Sequence, residues 1–108
     1  MSILLSALRA HEILLANASS NVANMNTEDY RSIRTTITSS PEGSVDVTTS
    51  RAASTDPRNP EGHADSDVDL AQEFTDIIRA RRGFEAILGA ISAREEMLDD
   101  LMNTLVKK

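Results

Sequence analysis

Residues 67–106 read DVDLAQEFTDIIRARRGFEAILGAISAREEMLDDLMNTLV, and the spacing of their apolar side chains decides the architecture. From Leu70 the steps alternate four and three through Leu70, Phe74, Ile77, Arg81, Phe84, Leu88, Ile91, Glu95, Leu98, Met102 and Leu105, interrupted only by Arg81 and Glu95. That alternation is the repeat of one face of a coiled-coil helix. Asp67 or Asp69 stands at the positive end as cap or first-turn acid, and Lys107 and Lys108 stand at the negative end. A helix over the whole stretch would be about 60 Å long at ~1.5 Å per residue, the length of a coiled-coil partner rather than an ordinary globular helix. Ile78, Ile87 and Leu101 form a further apolar set beside the stripe. Gly83 and Gly89 cost about 1 kcal/mol each inside a helix. With no proline or polar cluster beside them, they read as points where another helix approaches closely.

Upstream, residues 38–66 hold all three prolines, two of the four glycines and only Val45 and Val47 as bulky apolar residues. Such a stretch buries too little surface to offset its ordering entropy. Val45 to Thr49 has the composition of one edge strand, with Arg34 to Thr38 as its available partner, but a lone hairpin is marginal in water. The expectation is loop or disordered chain.

The N-terminal stretch places Leu4, Leu8, His11, Leu15, Ala18, Val22 and Met25 on one helical face, with Ile3, Ala7, Ala10 and Leu14 on a second stripe beside it. The apolar arc is wider than a two-helix seam requires. Asn17, Ser19, Ser20 and Asn21 then weaken helix propensity, so the helix should end near Asn24. At about 36 Å it covers roughly three fifths of the second helix. The uncovered remainder needs another chain, because exposed leucines and isoleucines would otherwise form an aggregating surface.

Composition closes off other functions. The chain has 108 residues, room for one modest core, and no cysteine, which excludes disulfides and thiolate metal sites. His11 and His63 lie far apart in unlike contexts, so neither a metal nor any other cofactor is expected. A net charge of -6 without a basic tract argues against nucleic acid, and Tyr30, Phe74 and Phe84 are too few aromatics for a stacking platform. No apolar run approaches the roughly 20 residues that span a bilayer, so no direct membrane insertion is expected. The N-terminus lacks the positive region of a cleaved signal. Glu95, Glu96, Asp99 and Asp100 fall on a solvated helical face with no enclosing cleft, and no nucleophile elbow or phosphate loop occurs. The chain does not read as an enzyme.

Two segments carry a family resemblance. Asn21-Val22-Ala23-Asn24-Met25-Asn26-Thr27-Glu28-Asp29-Tyr30-Arg31 resembles the N-terminal signature of bacterial flagellar rod and hook proteins, with Asp29 where glycine is usual. Ser66-Asp67-Val68-Asp69-Leu70-Ala71-Gln72-Glu73-Phe74, continuing through Arg81-Arg82-Gly83-Phe84-Glu85-Ala86 to Met97-Leu98, resembles their C-terminal pattern. Asp67 and Ile87 stand where asparagines are common. The resemblance is greatest to a short proximal rod protein lacking the large β domain. It implies a structural subunit of the basal-body rod, polymerising through its terminal helices with other rod, hook and basal-body proteins and with itself. It also implies export through the flagellar type III apparatus without a cleaved signal, to the periplasmic rod.

The expected fold class is therefore all-α, two terminal helices forming an antiparallel coiled-coil hairpin around a long, polar, partly disordered middle. Residues 1–37 would be the N-terminal helix and signature loop, 38–66 a flexible linker with at most a short β hairpin, and 67–108 the long coiled-coil helix. The residues expected to carry assembly are Leu4, Leu8, Leu15, Asn21, Val22, Asn24, Thr27 and Tyr30 from the first part. Leu70, Phe74, Ile77, Arg81, Phe84, Leu88, Ile91, Leu98 and Leu105 join them from the long helix. The competing reading is a helical binding or regulatory module, an export-associated adaptor or chaperone-like protein not built into the rod.

Overall fold

The computed structural model describes residues 2–53, 62, 63 and 65–107. Within the segment expected as a flexible linker, residues 54–61 and 64 lie outside the described residues. Helix α1 spans Ser2–Ala23, strands β1 and β2 span Ile33–Ser39 and Val45–Arg51, and helix α2 spans Leu70–Val106.

The two helices run antiparallel. Asn21 bonds Glu73 and His11 lies against Gly83, so rising positions on α2 meet falling positions on α1. The face of α2 turned to α1 holds Leu70, Glu73, Ile77, Ala80, Phe84, Ile87 and Ile91, all buried or half-buried. Its steps alternate three and four. It shares Leu70, Ile77, Phe84 and Ile91 with the stripe chosen by counting large apolar residues and takes Glu73, Ala80 and Ile87 in place of Phe74, Arg81 and Leu88. Phe74, Arg81 and Leu88 consequently lie on an exposed flank. The reason is steric. Ala80 and Gly83 are the small positions that let α1 come close, and a Cβ at Gly83 would overlap the His11 ring. Gly89 faces open space.

Asp69 caps α2, its side chain accepting from the Ala71 and Gln72 amides. At about 55 Å against about 33 Å, α2 outruns α1. From Ser92 to Lys107 every residue is exposed.

The all-α expectation is overturned by an antiparallel hairpin in register from Ile33↔Arg51 to Ser39↔Val45. Composition underestimated this segment because its support comes from elsewhere in the chain. Ile33, Thr35, Ile37, Val45 and Val47 alternate toward the covered side and pack on α1, which is the condition under which two strands become stable. The Ser6 hydroxyl accepts from the Val45 amide (3.0 Å), and the Asn17 amide donates to the Thr35 hydroxyl (2.9 Å). Gly43, with φ +83, makes the turn, where Ser40 N–H donates to the Ser44 carbonyl. The wide apolar arc of α1 is thereby accounted for: one side meets α2 and the other meets the hairpin.

Candidate assembly site

The two signature segments meet in a buried polar knot at the junction of α1, β1 and α2. Asn21 ends the buried face of α1 and is 1% exposed. Its Nδ2 donates to the Ile33 carbonyl and to Glu73 Oε2, both at 3.0 Å. Its Oδ1 accepts from the Tyr30 hydroxyl (2.7 Å) and the Ile33 amide (2.8 Å). Both donors and both lone pairs of the amide are used, which fixes its orientation and leaves no room for a substitute.

Glu73 is equally buried, and its second oxygen accepts from Arg34 Nη1 at 3.2 Å. Arg34 Nη2 in turn donates to the Ser32 hydroxyl at 2.7 Å. A buried carboxylate is tolerable only with such a cation and donors around it. Asp67 Oδ1 accepts from the Ser32 amide at 2.7 Å, a bond that an asparagine oxygen would also accept, so the departure at Asp67 preserves the geometry. Arg51 lies over the Tyr30 ring, 5.5 Å from its centroid.

The turn leading into the knot is built from the rest of the first signature. Asn24 Nδ2 donates to the Ser20 carbonyl, closing the end of α1, and Asn24 Oδ1 accepts from the Thr27 hydroxyl. Asp29 has φ +61, the left-handed conformation that glycine adopts without strain and that aspartate tolerates better than most residues. The residue differs from the usual glycine, but the backbone conformation is the one glycine favours. His63 Nδ1 lies 2.7 Å from the Asp29 carboxylate at the surface.

The structure thus places the expected residues in three settings. Asn21, Asn24, Thr27 and Tyr30 join the knot and its turn. Leu4, Leu8, Val22, Leu70, Ile77, Phe84 and Ile91 are half-buried, whereas Leu15, Phe74, Arg81 and Leu88 are exposed. Leu98 and Leu105 lie beyond the reach of α1, exposed together with Leu101 and Met102. Glu73, Ser32 and Arg34 were not anticipated. Glu73 does carry a signal, since it stands three residues after Leu70 and four before Ile77, on the heptad itself. Among the described residues no group of three potential metal ligands occurs, and no helix is long and apolar enough to cross a membrane.

Residues 64–104, which include Asp67, Glu73 and nearly all of α2, match the family described as flagellar basal body rod FlgEFG protein C-terminal. Over these residues the chain is similar to the flagellar basal-body rod family, which supports a rod-family protein. None of the curated proteins gives a significant match to the chain. The rod family is structural rather than enzymatic, so the general role is that of a structural component of the flagellar basal body, associated with other rod and basal-body proteins. In rod-family terms, the matched helix is anchored at its start by the polar knot and bare at its end.

Proposed function

We propose that the chain is a subunit of the flagellar rod that polymerises through its terminal helices. The carrying observation is the apolar stripe of α2, which continues past the last contact with α1 as Leu98, Leu101 and Leu105, flanked by Met102. Over roughly four turns this surface has no cover. Each such side chain gains about 1.5–3 kcal/mol on full burial as an upper bound, which favours a neighbour's helix laid along it. The neighbours are relatives in the rod and further copies of the chain, and the site of assembly is the periplasmic rod.

Marginal stability of the free subunit supports the same reading. Among the described residues the buried apolar side chains are Ala10, Leu14, Ala18 and Ala80, and the sequence has no cysteine to staple the fold. Such a chain is readily kept unfolded, as passage through the flagellar type III export apparatus demands.

Recovery of the tagged chain in purified hook and basal bodies is the expected result. Its loss when Leu101→Asp and Leu105→Asp are combined, with the protein still exported, is the second. Absence of the unmodified chain from basal bodies, or undiminished incorporation of the double variant, would overturn the reading.

A further inference from the structure

The register of the hairpin decides which of its backbone groups are left open. The Ser40 amide donates to the Ser44 carbonyl and the Ala52 amide to the Ser32 carbonyl, and both bonds continue the register of the β1–β2 ladder. Bonded and non-bonded pairs alternate in an antiparallel ladder. The even-numbered residues of both strands therefore bond across the hairpin, and the odd-numbered ones turn their N–H and C=O groups outward. Two of the outward residues are answered within the chain. Asn21 takes both backbone groups of Ile33, and the Ser6 hydroxyl takes the Val45 amide. The residues whose outward amides and carbonyls stay open, among the described residues, are Thr35, Ile37 and Ser39 on β1 and Val47, Thr49 and Arg51 on β2.

These two edges are complementary. With β1 set antiparallel to β2 of a second copy and Ile37 opposite Thr49, Thr35 meets Arg51 and Ser39 meets Val47, so every open N–H and C=O of both edges finds a partner. The residues already answered fall outside the pairing. Ile33 comes opposite Ala53, and Val45 comes opposite Pro41, which has no N–H to offer. No like charges are brought face to face, since Thr36 meets Ser50 and Thr38 meets Thr48 on the outer side. There is also room along β2. An open depression of about 490 Å³ separates Val45 and Val47 from α1, where Leu5 is 55% exposed, and another of about 320 Å³ lies by Thr49 and Arg51 beside Asn17.

We propose that β1 of one copy adds to the open edge of β2 of a second copy, with Ile37 opposite Thr49, so that successive hairpins join into one antiparallel sheet. This deepens the rod reading and rests on it for the choice between edges. Pairing β1 with β1, or β2 with β2, is two-fold and turns every second copy around, whereas a rod grows by one heterologous contact repeated from copy to copy. The spacing agrees. A hairpin is two strands wide, about 10 Å, which is the roughly 8–10 Å at which helices pack, so the α1 helices beneath neighbouring hairpins fit side by side. The contact also answers the hazard of an open strand edge, which otherwise pairs indiscriminately.

The absence of cysteine makes the test clean. Chains carrying Thr38→Cys and chains carrying Thr48→Cys are mixed and oxidised, and disulfides joining position 38 to position 48 should dominate. A predominance of 38-to-38 or 48-to-48 products, or no interchain product, overturns the proposal. Thr49→Pro, added to the Thr48→Cys chain, removes an outward N–H and spares the hairpin's own ladder. It should lower the yield of the 38-to-48 product about tenfold, with the Thr36 and Thr38 amides as protected from hydrogen exchange as in the parent. An undiminished yield overturns the proposal. In the unmodified chain the Ile37 and Thr49 amides should exchange freely when dilute and become protected as concentration rises; exchange independent of concentration also overturns it. If the parent is found in basal bodies while these results are negative, the strand contact falls and the rod role stands.

Discussion

At the scale of single residues, Asn21 carries more of the fold than any apolar side chain. Replacing it by alanine removes four hydrogen bonds and leaves the Glu73 carboxylate and the Ile33 peptide groups buried without those partners. Each stranded group costs about 1–3 kcal/mol, so Asn21→Ala should abolish the cooperative melt of the helical circular-dichroism signal, where a surface change such as Ser19→Ala barely alters it. The two glycines of α2 give a sharper contrast. Gly89→Ala meets open space and should stabilise the helix by up to about 1 kcal/mol. Gly83→Ala drives a methyl into the His11 ring and should lower the melting temperature. His11 cannot easily yield, because its Nδ1 is hydrogen-bonded to the Ala7 carbonyl at 2.8 Å. The sequence marks Asn21 through the signature it belongs to, and Gly83 as a helix-interior glycine with no proline or polar cluster beside it. Glu73 is hidden by its polarity, since counting apolar residues selects Phe74 instead, and its partner Asn21 is 52 positions away.

At the scale of elements, the helices were legible and composition marked the strands as Val45 to Thr49 beside Arg34 to Thr38, but the stability of their pairing was not legible. Periodicity over a long helix is a local property of the chain and survives the loss of tertiary context. The strands are Thr-rich and short, and what stabilises them is the side of α1 that carries Ser6 and Asn17, well upstream, which no local window includes. The hairpin should accordingly be separable from the helix pair. Val47→Asp places a charge opposite Ile37 on the face turned to α1. It should speed amide hydrogen exchange across residues 33–51 while leaving exchange in residues 77–91 unchanged. The offset between the expected and observed stripes of α2 has a similar origin. Residue size favours Phe74 and Leu88, whereas close packing favours the narrow positions Ala80 and Gly83, and only the shape of α1 decides between them.

At the scale of the whole molecule, three alanines and one leucine make up the buried apolar core among the described residues, while an elongated envelope of 81 × 25 × 14 Å leaves most of α2 in solvent. Such a ratio leaves stability dependent on association. The isolated chain should gain helix content with rising protein concentration, with sedimentation showing the parallel growth of larger species; helix content independent of concentration would show that the subunit is self-sufficient. The combined Leu101→Asp and Leu105→Asp variant should lose the concentration dependence yet retain the helix content of the dilute parent.

The span of the polar knot has a temporal consequence. Its parts come from both sides of the hairpin, so whichever signature reaches the assembly point first has to wait for the other. Until then Asn21 faces water instead of Glu73, the start of α2 has nothing to lean on, and the chain stays pliable. Closure of the knot is thus an event that only a chain with both signatures in place can complete, and in the proposed rod assembly it would turn a pliable polypeptide into a building piece with a free helical end.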